Sequence, residues 1–200
     1  LNMWQNIGET NNRGFEVELK TRNIETTSFT WTSSISFSKN KEKIVHLPDG
    51  DLIDSKLFEG QPLKVFYDYK YLGIWSSAEA EEAAKYGVRP GAVKIETIPH
   101  ISVDDSGKEV NDEGVHNYSA NYDKQILGAK TPDGILGFNN TFTYKGFDLS
   151  VFAVLRWGQM IESKALGWFD AGGDNQPAGT KYWTPENENA YFPRPGVYNG

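Results

Sequence analysis

The chain has 200 residues, a formal net charge of -7, 38% hydrophobic residues, 14% aromatics and 20 glycines. The acidic balance argues against holding a nucleic-acid backbone, which requires clustered Lys and Arg, and the lack of cysteine removes disulfide frameworks and thiolate metal sites. With aromatics plentiful and aliphatics scarce, the composition is that of a β-rich protein; no run of ~20 apolar residues exists for a membrane helix, although a tilted membrane strand needs only ~9–11 residues.

Taken in chain order, Phe15, Val17 and Leu19 alternate with Glu16, Glu18 and Lys20. After the polar stretch 22–27, Phe29, Trp31, Ile35 and Phe37 alternate with Thr and Ser. Side chains on a strand point alternately to opposite faces, so the two runs predict an antiparallel hairpin with one greasy and one hydroxylated face. Residues 40–134 are too long for a turn and too polar to span a bilayer, so they form a folded excursion. Within it Ser76-Ser-Ala-Glu79 reads as a capping box opening one short exposed helix over Ala78–Tyr86, with Gly87 closing it in left-handed geometry. The runs 65–71 and 93–98 pair as small strands, and Pro48-Asp-Gly50 and Arg89-Pro-Gly91 are turns.

A second hairpin is sharper. Phe138, Phe142 and Tyr144 alternate with Asn139, Thr141 and Thr143, Lys145-Gly146 turns, and Phe147, Leu149, Val151, Ala153, Leu155 and Trp157 follow. The other face there carries Asp148, Ser150 and Arg156, interrupted by Phe152 and Val154. Residues 164–200, rich in Gly, Pro, Asn and aromatics without a period, read as another long loop. The same alternation suits a soluble sandwich with its aromatics inward; aromatics gathered near the strand ends favour the girdles of a membrane barrel.

Signals for catalysis are weak. Asp104-Asp105-Ser-Gly107 with Asn111, Asp112 and Glu113 lacks the spacing of a calcium loop and reads as a solvated acidic turn. His46, His100 and His116 are scattered in sequence, and the pairs Glu16/Glu18 and Glu81/Glu82 read as polar surface rather than as a glycosidase pair. No nucleophile elbow, phosphate loop or dinucleotide fingerprint occurs, so no catalytic residue, metal or cofactor is expected. The cluster Trp168, Phe169, Tyr182, Trp183, Tyr191 and Phe192 is more informative, because aromatic faces in polar loops stack on sugar rings or pack peptide side chains. The competing reading is that these rings pin a long loop in place. Trp168, Phe169, Trp183 and Tyr191 are the candidate ligand contacts.

Several stretches together resemble one family. Asn12-Arg-Gly-Phe-Glu-Val-Glu-Leu19, the run Phe29 to Asn40, Gly60-Gln-Pro-Leu-Lys-Val-Phe-Tyr-Asp-Tyr-Lys-Tyr-Leu-Gly-Ile-Trp75, Pro90-Gly-Ala-Val-Lys-Ile95, Gly137 to Ser150 and Tyr182-Trp-Thr-Pro-Glu-Asn187 with Pro193-Arg-Pro195 are similar, in order, to the C-terminal half of SusC/RagA-type TonB-linked outer-membrane proteins. The acidic stretch after the Pro-Gly motif departs from the family pattern at Val103-Asp-Asp-Ser-Gly-Lys108. The family's plug, TonB box and last strands have no counterpart here, so the chain reads as an internal piece.

The resemblance implies an all-β fold, part of a 22-stranded antiparallel transmembrane barrel with long extracellular loops. It further implies an outer-membrane importer of oligosaccharides or other nutrients, a SusD-like surface lipoprotein and the TonB complex as partners, and lipid around the wall. On that reading wall hairpins occupy about 14–38 and 136–158, excursions at 40–134 and 160–200 lie outside the cell, and the short turns face the periplasm. The alternatives are a secreted carbohydrate-binding β-sandwich and, further off, a glycoside hydrolase fragment.

Overall fold

The structure, a computed structural model, describes residues 8–103, 106–163 and 179–196. In chain order these form β1 (Glu9–Glu25), β2 (Phe29–His46), β3 (Val65–Tyr69), β4 (Tyr71–Ile74), α1 (Ala80–Lys85), β5 (Val93–Ile95), β6 (Ile101–Val103), β7 (Glu109–Asn111), β8 (Lys124–Ala129), β9 (Gly134–Tyr144) and β10 (Phe147–Trp157). Among the described residues the architecture is mostly β, with that one short α-helix and two 3-10 turns. The chain divides into two units, Leu1–Phe66 with Gly128–Ile161 and Tyr67–Leu127 with Glu162–Gly200.

The first unit is built on an antiparallel sheet in the order β1-β2-β9-β10. The turn between β1 and β2 is tied by Thr26, whose N–H donates to the Phe29 carbonyl at 2.8 Å and whose Oγ1 accepts from the Phe29 N–H at 2.9 Å. Lys145 and Gly146 connect β9 to β10 with φ of 47° and 86°. Consecutive positive φ values give the right-handed twist a two-residue hairpin needs, and glycine takes the second without steric cost. Both tight turns lie at the same end of the sheet, where the Lys145 N–H donates to the Ser28 carbonyl at 3.2 Å.

The two expected hairpins are present, and their strands run further than the apolar alternation. β1 begins at Glu9 and β2 continues to His46, through Asn40-Lys-Glu-Lys43. Ladder bonds belong to the backbone, so pairing persists where the side-chain pattern stops. Beyond Ser38, β2 keeps β1 as partner while its pairing with β9 ends. β1 and β10 have no further strand on their outer edges among the described residues.

The second unit holds a small core. Trp75, Ala83, Val88 and Ala92 are buried together, with Tyr86 and Tyr118 packed against them. The capping box forms: Glu79 Oε2 accepts from the Ser76 N–H at 3.1 Å and its Oγ at 2.9 Å. A 3-10 turn over Ser77–Glu79 leads into α1, and Gly87 has φ 70°. The helix is shorter than expected and not simply exposed, since Ala83 is fully buried under Trp75 and its neighbours. The expected pairing of 65–71 with 93–98 is corrected in detail: β3 pairs with β8, and only β4 pairs with β5. The division falls at Lys70, whose carbonyl accepts from the Glu96 N–H at 2.9 Å while its ammonium holds the Glu96 carboxylate at 2.9 Å.

Candidate functional site

Directly paired residues of an antiparallel sheet share a face. One face carries the rows Leu19–Ile35–Phe138–Ala153 and Val17–Phe37–Leu136–Leu155. The other carries Lys20–Ser34–Asn139–Phe152 and Arg22–Thr32–Thr141–Ser150. The apolar face is not covered: Val17, Leu19, Leu149, Val151 and Leu155 are all exposed.

Aromatic rings mark both ends of this face. Toward the tight turns Trp31 stacks on Phe142 with centroids 5.7 Å apart, and Phe147 beyond it is 79% exposed. At the far end Phe37 contacts Phe15 at 5.5 Å and Trp157 at 5.9 Å.

Between its two aromatic ends the face carries a polar node whose groups satisfy one another. Thr21 Oγ1 donates to Asn23 Oδ1 at 2.9 Å, Asn23 Nδ2 to Ser33 Oγ at 2.6 Å, Ser33 Oγ to Asn140 Oδ1 at 2.7 Å, and Trp31 Nε1 to the same oxygen at 2.9 Å. Asn140, only 7% exposed, is the hub. Pairing within the sheet removes most of the penalty these groups would meet against an apolar solvent. The alternation flags Ser33 and Asn140 only as breaks in an apolar row; the chain from Thr21 to Trp31 crosses three strands and needs the register. On the opposite face Phe152 remains 70% exposed amid hydroxyls and amides.

The four candidate ligand contacts divide. Trp168 and Phe169 lie outside the described residues. Trp183 is buried, 2% exposed, and its backbone N–H donates to the Phe192 carbonyl at 2.9 Å. A Cβ on Gly91 would stand 2.6 Å from the Trp183 ring, so glycine lets this ring lie against the backbone. Here Trp183 pins the loop. Tyr191 is 72% exposed and meets Phe192 edge-on at 5.1 Å; Phe192 in turn meets Tyr182 at 6.3 Å. Of the two described members of this group, Tyr191 is the one with a free face.

The titratable groups form knots. Glu79 pairs with Lys94 at 2.7 Å, and Lys94 lies 4.1 Å over the Trp75 ring. The Lys94 hydrogen bond, with those from Ser76, lowers the Glu79 pKa to about 2. His116 lies between two carboxylates, with Nε2 3.0 Å from Asp123 Oδ1 and Nδ1 2.7 Å from Asp112 Oδ2, the latter close enough for an ion pair but poorly aligned for a hydrogen bond. Fully buried Asp123 also accepts the Ile98 N–H at 3.0 Å and the Ser119 N–H at 2.8 Å. The N–H groups of His100 and Gly114 hold Asp112 below the usual carboxylate range. The stretch read as a solvated acidic turn is therefore in part a structural clasp, foreshadowed only by the i, i+4 spacing of Asp112 and His116. His100 stacks on Tyr122 at 3.8 Å. Glu18 pairs with Lys20 at 3.0 Å and Glu82 with Lys85 at 2.7 Å, so each carboxylate pair has one member neutralised by a neighbouring lysine.

These observations define an antiparallel β wall with one apolar and one hydrophilic face, carrying a separately cored excursion. No protein-family model matches the chain. It is 34% identical over 96% of its length to the TonB-dependent receptor P3 of Formosa agariphila, covering 20% of that protein. It is 27% identical over 74% of its length to the TonB-dependent receptor SusC of Bacteroides thetaiotaomicron, covering 14% of it. The fold matches part of the RagAB peptide importer in its open-open state, with a TM-score of 0.62 at 19% identity over 98% of the chain and 20% of that structure's chain. The chain belongs to the SusC/RagA-type TonB-dependent receptors. It spans about a fifth of the length of the curated relatives it matches.

Proposed function

We propose that the full-length protein is a TonB-energised importer in the bacterial outer membrane, and that the four-stranded sheet is part of its 22-stranded barrel wall. The observation that carries this reading is the uncovered apolar face with an aromatic band at each end. From Phe29 to Phe37 the strand advances about 27 Å, and at the ~35–45° tilt of barrel strands this becomes about 20 Å, the scale of the ~25 Å apolar band of such barrels. β9 and β10, with 11 residues each, match the ~9–11 residues of a tilted crossing. A soluble sandwich would place a second sheet ~10 Å from this face.

On this reading the hydrophilic face lines the lumen and the tight turns face the periplasm. The excursions, about 40–134 and 160–200, are extracellular, where Tyr191, with Trp168, Phe169 and Trp183, belongs to the region meeting cargo or a SusD-like surface lipoprotein. The cargo class is oligosaccharide or peptide, the latter as named for the RagAB importer. Transport consists of binding and gated passage without bond chemistry, and energy arrives from the TonB complex through parts of the receptor outside this chain.

The test is fractionation of the native host's membranes, probing the full-length protein for heat-modifiable migration and a co-purifying lipoprotein. Outer-membrane recovery with that partner is the expected result. Recovery in the soluble fraction would transfer the reading to the carbohydrate-binding sandwich.

A further inference from the structure

The apolar face does not end in neutral residues. Above the Phe15–Phe37 contact the same side of the β1–β2 ladder carries Lys39 opposite Phe15, Arg13 opposite Lys41, and Lys43 opposite Asn11. The register is unbroken from Asn11 to Arg22, so these side chains share the face of Val17 and Leu19. All four cations are exposed, and none has a described carboxylate within ion-pair distance. Two acids of the surrounding segments are engaged elsewhere. Glu42 alternates onto the opposite face and accepts the Leu63 N–H at 3.0 Å, while Glu59 accepts the Leu47 N–H at 2.6 Å and pairs with His46 at 3.2 Å. Four uncompensated cations thus gather on one small surface of a chain whose net charge is -7.

Their height is set by the sheet. Pairing of β2 with β9 stops at Ser38, so the four-stranded wall ends where the cations begin. Lys39 to Lys43 lie two to six residues past Phe37, or about 7–20 Å along the strand. Asn11, Arg13, Lys41, Lys43 and Val45 line a shallow recess of about 370 Å³. Amide, guanidinium and ammonium donors ring it, and Val45 supplies an apolar contact.

We propose that Arg13, Lys41 and Lys43, with Lys39 below them, form a binding site for the phosphate of an anionic lipid headgroup in the leaflet on the side opposite the tight turns. The inference rests on the membrane placement above. Arg offers a planar fork to phosphate oxygens and Lys a point charge. The lipid's acyl chains would then descend along Phe15, Phe37 and Val17, which a free anion would leave uncovered. That continuity selects a lipid over a soluble phosphate.

The experiment uses the full-length receptor, purified in detergent. Lipid A bearing its phosphate, the same lipid dephosphorylated, and inorganic phosphate are the probes, and bound lipid is read by native mass spectrometry. The wild type should retain phosphorylated lipid A at least ten-fold better than the dephosphorylated form. Arg13→Gln/Lys41→Gln/Lys43→Gln should lose that preference, whereas Lys41→Arg/Lys43→Arg should keep it and Lys20→Gln/Arg22→Gln on the opposite face should leave it unchanged. Equal retention by wild type and triple variant would overturn the site, and displacement of the lipid by millimolar inorganic phosphate would reassign it to a free anion. Heat-modifiable migration is recorded for each protein: its absence in the wild type refutes the membrane placement itself, whereas its presence with no lipid preference refutes only this site.

Discussion

The two units solve the burial problem in opposite ways. In the second, Trp75, Ala83, Val88 and Ala92 turn inward and polar groups knit the surrounding loops, as in an ordinary water-soluble domain. In the first, the largest apolar surface of the sheet faces outward, and the strands are held by their ladders, cross-strand aromatic contacts and an internally bonded polar node. One chain therefore carries surfaces suited to two solvents. The hydrophobic effect organises the excursion by excluding water from its core, whereas the wall, on the proposed membrane placement, would keep its apolar face toward lipid with its backbone groups paired along the barrel.

This contrast is sharpest when one residue of each kind is changed in the full-length protein. Trp75→Ala should cost about 3–5 kcal/mol, as for other buried aromatic truncations. The loss should be confined to the excursion, with hydrogen exchange accelerated across 67–127 while the barrel remains heat-modifiable. Loss of heat-modifiability would mean that the two regions stand or fall together. Ile35→Lys, between the aromatic bands on the apolar face, should cost about 2–4 kcal/mol in folding into lipid vesicles. Ser34→Lys, one residue away on the hydrophilic face, should change little. Similar costs for the two lysines would refute the assignment of faces.

A smaller effect is expected at the tight turn. Gly146→Ala places a side chain at φ 86° with no atom nearby to clash, so backbone strain alone acts and the cost is about 1–2 kcal/mol. Unfolding midpoints of the two turn variants should separate the positions, with Lys145→Asn neutral or mildly stabilising because asparagine tolerates φ 47° better than lysine.

The smallest expected effect is electrostatic. Glu79 has its pKa lowered from 4.5 to about 2, so its charged form is favoured in the folded excursion. Its contribution is fully present above pH 4.5 and disappears as pH falls through about 2. The Trp75 emission, taken as the difference between the parent and Trp75→Phe, should change across that window, and Glu79→Gln should abolish the change. A Glu79→Gln profile matching the parent would show that another group governs it.

Alternation of apolar and hydroxylated residues made both hairpins legible, as did the Lys145-Gly146 turn and the Ser76–Glu79 box. These are local features, determined by strand periodicity, positive-φ chemistry and capping within a few residues. Other features were not local. The charged run after Ser38 has no apolar period, so the continuation of β2 and the row of cations on it emerged only with the ladder to β1. Lys124–Ala129 carries no distinct signal and becomes a strand because β3 is there to pair with it. Trp183 and Tyr191, equivalent as aromatic loop residues, are separated by packing against Gly91: one buried, one free.

By itself, then, the sequence determined which side chains alternate, where the chain turns sharply, and that two compositions coexist in it. Tertiary structure decided that β2 pairs with β9 across the long excursion, that the aromatic faces align into one uncovered surface, and that Asp112, His116 and Asp123 close into a clasp. The reason is physical: periodicity and turn preference arise from interactions between near neighbours, whereas register, burial and charge pairing depend on which distant segments the folded chain brings within a few ångströms.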